Sequence, residues 1–184
     1  MKKLFFIMGL VAFFATCAEA QNIGKLYGEV AYSMLSIEDT SANNLGTWKP
    51  SQGRFILGTE VTDYLALEGI ISQGLSSGTV VKNAVSVEVK PKTSYGFAVR
   101  PFINITDDIQ LFGRVGLLRI ESETSIINAG NRDTVNESTT FKAYGAGVGY
   151  KINKEISAFV DYLKLSNENE SKPSTFSVGM RYKF

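Results

Sequence analysis

Apolar and polar residues alternate along eight stretches of this chain, most plainly in the last ten residues. There Phe176, Val178, Met180, Tyr182 and Phe184 share one parity, and Ser177, Gly179, Arg181 and Lys183 share the other. Successive side chains of a strand point to opposite faces, so this segment is a strand with one apolar and one charged side. Similar alternation predicts strands over 25–36, 53–61, 65–75, 92–104, 109–120, 141–152, 156–166 and 175–184. Three short segments, Val61-Thr-Asp-Tyr-Leu65, Ile105-Thr-Asp-Asp-Ile109 and Ile152-Asn-Lys-Glu-Ile156, place polar turn formers between aliphatic residues and read as tight hairpins. Polar tracts at about 37–52, 76–91, 121–140 and 167–174 are rich in Ser, Asn, Gly, Asp and Glu and predict four long loops. Four long loops alternating with three tight turns make eight antiparallel strands, with both ends of the sheet on the tight-turn side.

Parity assigns each side chain to a face. One face carries Val30, Tyr32 and Met34, then Phe55 and Leu57, Leu67 and Ile71, Phe97 and Val99, Leu111 and Val115, Val148 and Tyr150, and Val160 and Tyr162. No charge falls on this column over eight strands. The opposite face holds Lys25, Glu29, Arg54, Glu60, Glu68, Arg100, Arg114, Lys151, Asp161, Arg181 and Lys183. A soluble ligand-binding barrel is apolar inside and charged outside, whereas a membrane barrel reverses this, and parity alone does not say which face is inside.

The amino terminus favours the membrane. Lys2 and Lys3 precede an apolar run from Leu4 to Ala15, and Ala18-Glu19-Ala20 has the small-x-small form of a cleavage site, so residues 1–20 read as a secretory signal peptide. A run of this length is too short to span a bilayer as a helix, which needs about 20 residues. Cys17 opens a second route, lipoprotein processing, but Thr16 stands where such sites carry Gly, Ala or Ser, which favours cleavage after Ala20. A barrel domain over 21–184 then remains, with no cysteine in it. Without its first 20 residues the chain keeps 17 basic and 17 acidic residues of its 19 and 18. That balance argues against nucleic acid, which needs a basic surface.

With its tight turns, its alternation and its terminal aromatic column, the chain from residue 21 onward resembles the small eight-stranded outer-membrane β-barrels of Gram-negative bacteria: the OmpA transmembrane domain, OmpX and the opacity-type porin family. The resemblance implies an all-β, eight-stranded antiparallel up-and-down transmembrane barrel in the cell outer membrane. It also implies lipid and lipopolysaccharide as surroundings, and no cofactor. The column Phe176, Val178, Met180, Tyr182 and Phe184 resembles the C-terminal signal that the barrel-assembly machinery reads in that family. Barrels of the OmpA type continue into a peptidoglycan-binding domain, and this sequence stops at the eighth strand.

Inside such a barrel, Glu29, Glu68, Arg100, Arg114, Asp161 and Arg181 all lie roughly three to five residues from the tight-turn end of their strands. They form one layer in which Glu68 with Arg100, and Glu29 with Arg181, sit on neighbouring strands. Two functions fit this layer: a charged constriction in a narrow pore for ions or small solutes, or a salt-bridged plug. An eight-stranded barrel is only wide enough for its own side chains, and Phe102, Phe112 and Phe159 also point inward, which favours the plug. Gly145, Gly147 and Gly149 lack the spacing and following helix of a nucleotide-binding loop. Facing inward, they make room for a large neighbour.

Enzyme chemistry finds little support. With no histidine in the chain, neither a Ser-His-Asp arrangement nor a His metal site can be built. The close carboxylates Glu121 and Glu123, and Glu168 and Glu170, fall in polar tracts as solvated charges. Asn131, Asp133 and Glu137 lack the spacing of a calcium loop. The expected function is therefore non-enzymatic, with the exposed loops serving surface interaction, adhesion to a host or cell-surface ligand, or envelope integrity. Trp48, near Ile37 and Leu45, is the only tryptophan. Two readings fit it equally, a half-exposed binding anchor and a packing residue over the barrel mouth. Val85-Ser-Val-Glu-Val89 alternates within the second loop and predicts a hairpin protruding beyond the membrane. Arg119 and the basic residues near the outer rim are placed to meet lipopolysaccharide phosphates.

The terminal column yields a prediction about assembly. Deleting Phe184 removes about 1.5–3 kcal/mol of apolar burial, so the shortened chain is expected to fold in detergent. Its outer-membrane level in cells, measured by surface labelling, is expected to fall. Equal surface abundance of the two forms would mean that the column is only lipid-facing strand.

Overall fold

The computed structural model describes residues 25–38, 46–82, 85–128, 131–167 and 173–184. The expected signal peptide with its Cys17, and also Leu45, Glu168 and Glu170, lie outside these residues. Ten strands are present among them: β1 (Leu26–Glu38), β2 (Thr47–Trp48), β3 (Ser51–Thr62), β4 (Leu65–Ser76), β5 (Gly78–Lys82), β6 (Val85–Asn104), β7 (Ile109–Asn128), β8 (Asn131–Lys151), β9 (Ile156–Ser166) and β10 (Ser174–Lys183). Eight of them close a ring in the order β1-β3-β4-β6-β7-β8-β9-β10, every pair antiparallel, and β10 returns to β1 from Tyr27↔Lys183 to Ser36↔Ser174. The Phe184 amide donates to Leu26 O at 3.0 Å and extends that seam to the last residue. Closure leaves no sheet edge in the ring, which is the condition for a sheet to lie in hydrocarbon.

The tight turns are built by their polar residues. Ile105 N donates to Ile109 O at 2.9 Å while Thr106 Oγ1 accepts from Ile109 N at 3.0 Å. In the last turn Ile152 N donates to Ile156 O at 2.9 Å, and Asn153 Oδ1 accepts from Glu155 N and Ile156 N at 2.9 and 2.7 Å. The side chains thus take up backbone donors that the turn leaves unpaired.

The two faces differ as the alternation predicts. Val30, Phe55, Leu67, Ile71, Phe97, Val115, Val148, Val160, Val178 and Met180 point outward and are exposed. The inward face holds two apolar clusters. Tyr27, Ala31, Ala66, Phe102, Phe112 and Phe159 fill the tight-turn end. Ile56, Ile70, Ala98, Leu118, Ile120, Phe141, Ala143 and Leu165 fill the other end. Along β4, β6 and β7 a charged residue stands between members of the two clusters: Glu68 between Ala66 and Ile70, Arg100 between Ala98 and Phe102, Arg114 between Phe112 and Leu118.

The largest departure from the sequence expectation lies beyond the ring. The protruding hairpin expected at Val85–Val89 is present, but the tract 121–140 is strand over its described residues rather than loop: β6, β7 and β8 run 20, 20 and 21 residues, about twice the 9–11 that span a membrane. β7 and β8 pair without interruption from Ile109↔Tyr150 to Asn128↔Asn131. The outer half of β6 pairs with β7 on one side and with β5 on the other, from Gly78↔Val89 to Lys82↔Val85. A four-stranded sheet therefore stands past the barrel. Its β8 arm from Asn131 to Ser138 is exposed at every residue. The β8 arm is exposed throughout and the buried residue of the facing β7 arm is a serine, Ser125, so no apolar column marks these two arms and their Ser, Thr, Asn and Glu read as loop.

Two glycines set how closely the strands approach the interior. A Cβ on Gly147 would lie 2.4 Å from Cζ of Phe112 and 2.5 Å from Val160 O, and one on Gly145 would lie 1.9 Å from Tyr162 O. On Gly149 the nearest atoms would be 3.7 Å away, an ordinary contact. Gly147→Val is expected to destabilise the folded barrel by about 1–3 kcal/mol through overpacking, with Gly149→Ala within about 0.5 kcal/mol of the parent. Reversible urea unfolding in micelles measures both.

Candidate functional site

The interior charges form one network. Arg114, 1% exposed, reaches all three buried carboxylates: its Nε donates to Glu68 Oε2 at 2.5 Å, its Nη1 to Asp161 Oδ2 at 2.5 Å and its Nη2 to Glu29 Oε2 at 2.9 Å. Arg181 donates to Glu29 Oε1 through Nε at 2.9 Å and also through Nη2. Tyr27 adds a hydroxyl to Glu68 Oε1 at 2.8 Å. Arg100 Nε lies 3.6 Å from Glu68 Oε1, and its guanidinium stacks 4.1 Å from the Phe112 ring centroid. The six predicted layer residues are thus brought together, and the neighbouring-strand pairs Glu68 with Arg100 and Glu29 with Arg181 are among the contacts.

Besides the Tyr27 hydroxyl, three features of the network were not read in the sequence. Arg114 is its hub, which strand adjacency alone does not reveal because the guanidinium crosses the lumen to β1, β4 and β9. Arg54 joins from higher on β3 by pairing with Asp161; it was on the inward face, but its backbone lies above the layer and only the length of the side chain brings it down. Gln110 accepts from both Arg100 Nη2 at 2.8 Å and Arg181 Nη1 at 3.1 Å. Together with Phe102, Phe112 and Phe159 this arrangement fills the barrel cross-section.

At the outer end the lumen opens into an apolar cavity of about 310 Å³ lined by Leu35, Trp48, Val89, Ile120, Phe141 and Leu165, with Glu137 and Asn167 among its polar groups. Trp48 is 7% exposed, buried rather than half-exposed, and its Nε1 donates to Val87 O at 3.0 Å. This bond ties β2 to the protruding part of β6 and holds the indole in the cavity wall. The cavity is at the small end of the range that holds a compact organic ligand.

The outward columns change character at the same height. Above Leu117 and Tyr144, the parity of β7, β8 and β9 carries Arg119, Lys142 and Lys164, all exposed. Register sets Lys142 opposite Leu117 and Lys164 opposite Tyr144, with Arg119 opposite Thr140, so the three cations form one diagonal across adjacent strands. Arg119 also donates to Ser138 Oγ at 2.9 Å. The sequence reading expected basic residues near the outer rim beside Arg119 without naming Lys142 and Lys164; extending each outward column by one more position identifies them. On the outer sheet Lys92 pairs with Glu123 at 2.8 Å and Arg132 with Glu88 at 3.0 Å. The Lys92 ammonium holds the Glu123 carboxyl below the usual carboxylate range, first by hydrogen bonding and then by charge.

A closed eight-stranded ring, apolar outside and charged within, is the architecture of a transmembrane barrel. The sequence matches the family model described as outer membrane protein beta-barrel domain over residues 6–184, and the chain belongs to that family. No curated protein matches the sequence. Among solved structures, the attachment invasion locus protein Ail of Yersinia pestis is 20% identical with a TM-score of 0.62, covering 88% of this chain and 99% of its own. A second Ail structure holds the heparin analogue sucrose octasulfate, with 15% identity, a TM-score of 0.57 and coverage of 88% and 99%. Neisserial surface protein A is 13% identical with a TM-score of 0.59, covering 86% and 97%. At these identities the likeness is one of fold.

Removing the hub leaves buried carboxylates without their shared partner. Arg114→Met is expected to cost about 3–5 kcal/mol, the penalty of uncompensated buried charge. Arg119→Met at the rim is expected to change stability in micelles by less than about 0.5 kcal/mol. Urea titrations of both variants check the difference.

Proposed function

We propose that this protein is a non-enzymatic surface barrel, exported by its signal peptide, that binds a ligand of the host or of another cell through its outer sheet and the cavity beneath it. The observation that carries this reading is the contrast between the two ends. The lumen is packed across its section by Arg114 and its partners, whereas β5 and the outer arms of β6, β7 and β8 project a sheet above an apolar cavity, and among the described residues the β8 arm before Lys142 pairs with β7 alone. An unpaired strand edge offers backbone groups to a partner. Trp48 serves here as a wall of the cavity and a clamp on the sheet.

That a structure of Ail holds a heparin analogue supports ligand binding by a barrel of this fold. On this chain the outer sheet mixes Lys82, Lys90, Lys92 and Arg132 with Glu88, Glu123, Asp133 and Glu137, a composition better suited to a protein partner than to a polyanion. The diagonal Arg119, Lys142 and Lys164 is suited to lipopolysaccharide phosphates, which would fix the barrel's depth. Phe176, Val178, Met180, Tyr182 and Phe184 serve as the signal for the barrel-assembly machinery. The competing reading is a narrow pore for ions or small solutes, and the filled cross-section disfavours it.

Two measurements test this reading. In planar bilayers the folded protein is expected to give no steady conductance, and a conductance altered in Arg100→Ala would establish the pore instead. Cells displaying the protein are expected to adhere to cultured epithelial cells more than cells displaying a variant whose β7–β8 arm is shortened by removing residues 123–136. Equal adhesion of the two would remove the outer sheet from the function.

A further inference from the structure

The outer sheet has two unlike faces, and they treat charge differently. On the face turned away from the barrel mouth Glu88 pairs with Arg132 and Glu123 with Lys92, so acids and bases cancel. The other face continues the wall of the apolar cavity, which Val89, Thr124 and Glu137 line. Directly opposed residues of antiparallel strands share a face. The register therefore sets Val80, Val87, Ile126 and Asp133 in one row on the cavity side, and Gly78, Val89, Thr124 and Val135 in the next. Ser122 and Glu137 follow, level with Pro91.

This cavity-side face is apolar and open. Val80, Val85, Val87 and Val89 are half-buried, Ile126 is 47% exposed and Val135 55% exposed. A cluster of exposed apolar side chains running into a cavity marks a docking surface, and its charges define what docks. Asp133 and Glu137 flank Val135 on the same face of the β8 arm. Both are exposed, and among the described residues neither carboxylate has an ion pair or a side-chain hydrogen bond. Within the described part of the sheet the base on this side is Lys82, at the tip of β5 beside Val85, so the face carries a net negative charge. A second copy would bring the same acids against its own, and a polyanion would meet like charge. Both arrangements cost free energy that a basic partner gains.

We propose that the cavity-side face of the outer sheet docks a cationic amphipathic polypeptide segment. Its apolar side chains lie on Val87, Val89, Ile126 and Val135, its Lys or Arg side chains meet Asp133 and Glu137, and one large apolar side chain enters the cavity beside Trp48. The apolar contact supplies most of the affinity, while the two acids orient the segment and speed its arrival. This rests on the reading of the barrel as a surface-binding protein and narrows its partner to one of basic and apolar character, held by the face of the sheet and not by its edge.

Trp48 is the only tryptophan and lies in the cavity wall, so its emission reports occupancy of the site. The unaltered protein in nanodiscs of zwitterionic lipid is titrated with a short amphipathic Leu/Lys peptide, with the Leu/Glu peptide of the same pattern and with a Ser/Lys peptide of the same charge. The Leu/Lys peptide is expected to change Trp48 emission saturably, to bind about tenfold more tightly than either control, and to weaken as salt is raised. Asp133→Asn with Glu137→Gln alters two exposed positions and is expected to fold as the parent does. It is expected to weaken binding of the Leu/Lys peptide about three- to tenfold, the order expected for two exposed ion pairs. Equal binding of the Leu/Glu peptide, unchanged affinity in the folded double variant, or a saturable Trp48 response to a heparin fragment in place of the peptide would each overturn the proposal. So would concentration-dependent dimerisation that the double variant strengthens, which would make a second copy the occupant. A Leu/Lys peptide that leaves Trp48 unchanged, with adhesion still lowered by removing residues 123–136, would overturn the basic partner and leave the surface-binding reading standing.

Discussion

Hydrocarbon offers no hydrogen bonds, and every other feature of this barrel follows from that. Each backbone amide and carbonyl in the membrane must find a partner within the sheet, so the eighth strand has to meet the first, and β10 pairs with β1 over ten residue pairs to do so. Closing eight strands fixes a lumen only as wide as side chains. Charges forced inward by a lipid-facing exterior then have to satisfy one another. Arg114 does this by donating to three carboxylates on three other strands, and the apolar clusters above and below keep water away from those bonds. Burying ions this way is not by itself stabilising. Here it follows from which side chains point inward, and it ties β1, β4, β7 and β9 together across the lumen.

The same constraint releases once a strand leaves the membrane. Outside it, backbone groups can be paired with water, so β6, β7 and β8 continue as an open sheet whose edge is tolerated. The bulge between Pro91 and Ser94 sits where β6 passes from ring to sheet. Trp48 joins the two regions, buried in the cavity wall and bonded to the protruding β6.

Legibility in the sequence tracked the environment of each segment. Strands with one face in lipid show strict alternation, and the turn segments Ile105–Ile109 and Ile152–Ile156 carry Thr106 and Asn153 at the positions that accept the freed amides. Both were therefore readable. The arms 121–128 and 131–140 were not, because the second is almost wholly exposed and the buried residue of the first is the polar Ser125, so no apolar period-2 signal marks them and backbone pairing alone defines the strands. Within the lumen, parity gave the direction of each charge but not its reach: Arg54 bends toward Asp161 from a higher position, and Gln110, uncharged, was invisible to a search for ions. Trp48 lay between two readings because a single aromatic in a polar tract does not show what it packs against.

The central claim is that the uncharged outward columns lie in lipid while the charged column is sealed within. Residues 21–184 contain no cysteine, so single nitroxide labels can be placed at Val115, Val148, Val160 and Val178, with Thr134 in the protruding arm as a water-exposed control. In lipid vesicles the account predicts strong relaxation by oxygen and weak relaxation by a water-soluble nickel chelate at the four valine positions, with the reverse at Thr134. Nickel accessibility at the valine positions equal to that at Thr134 would contradict it.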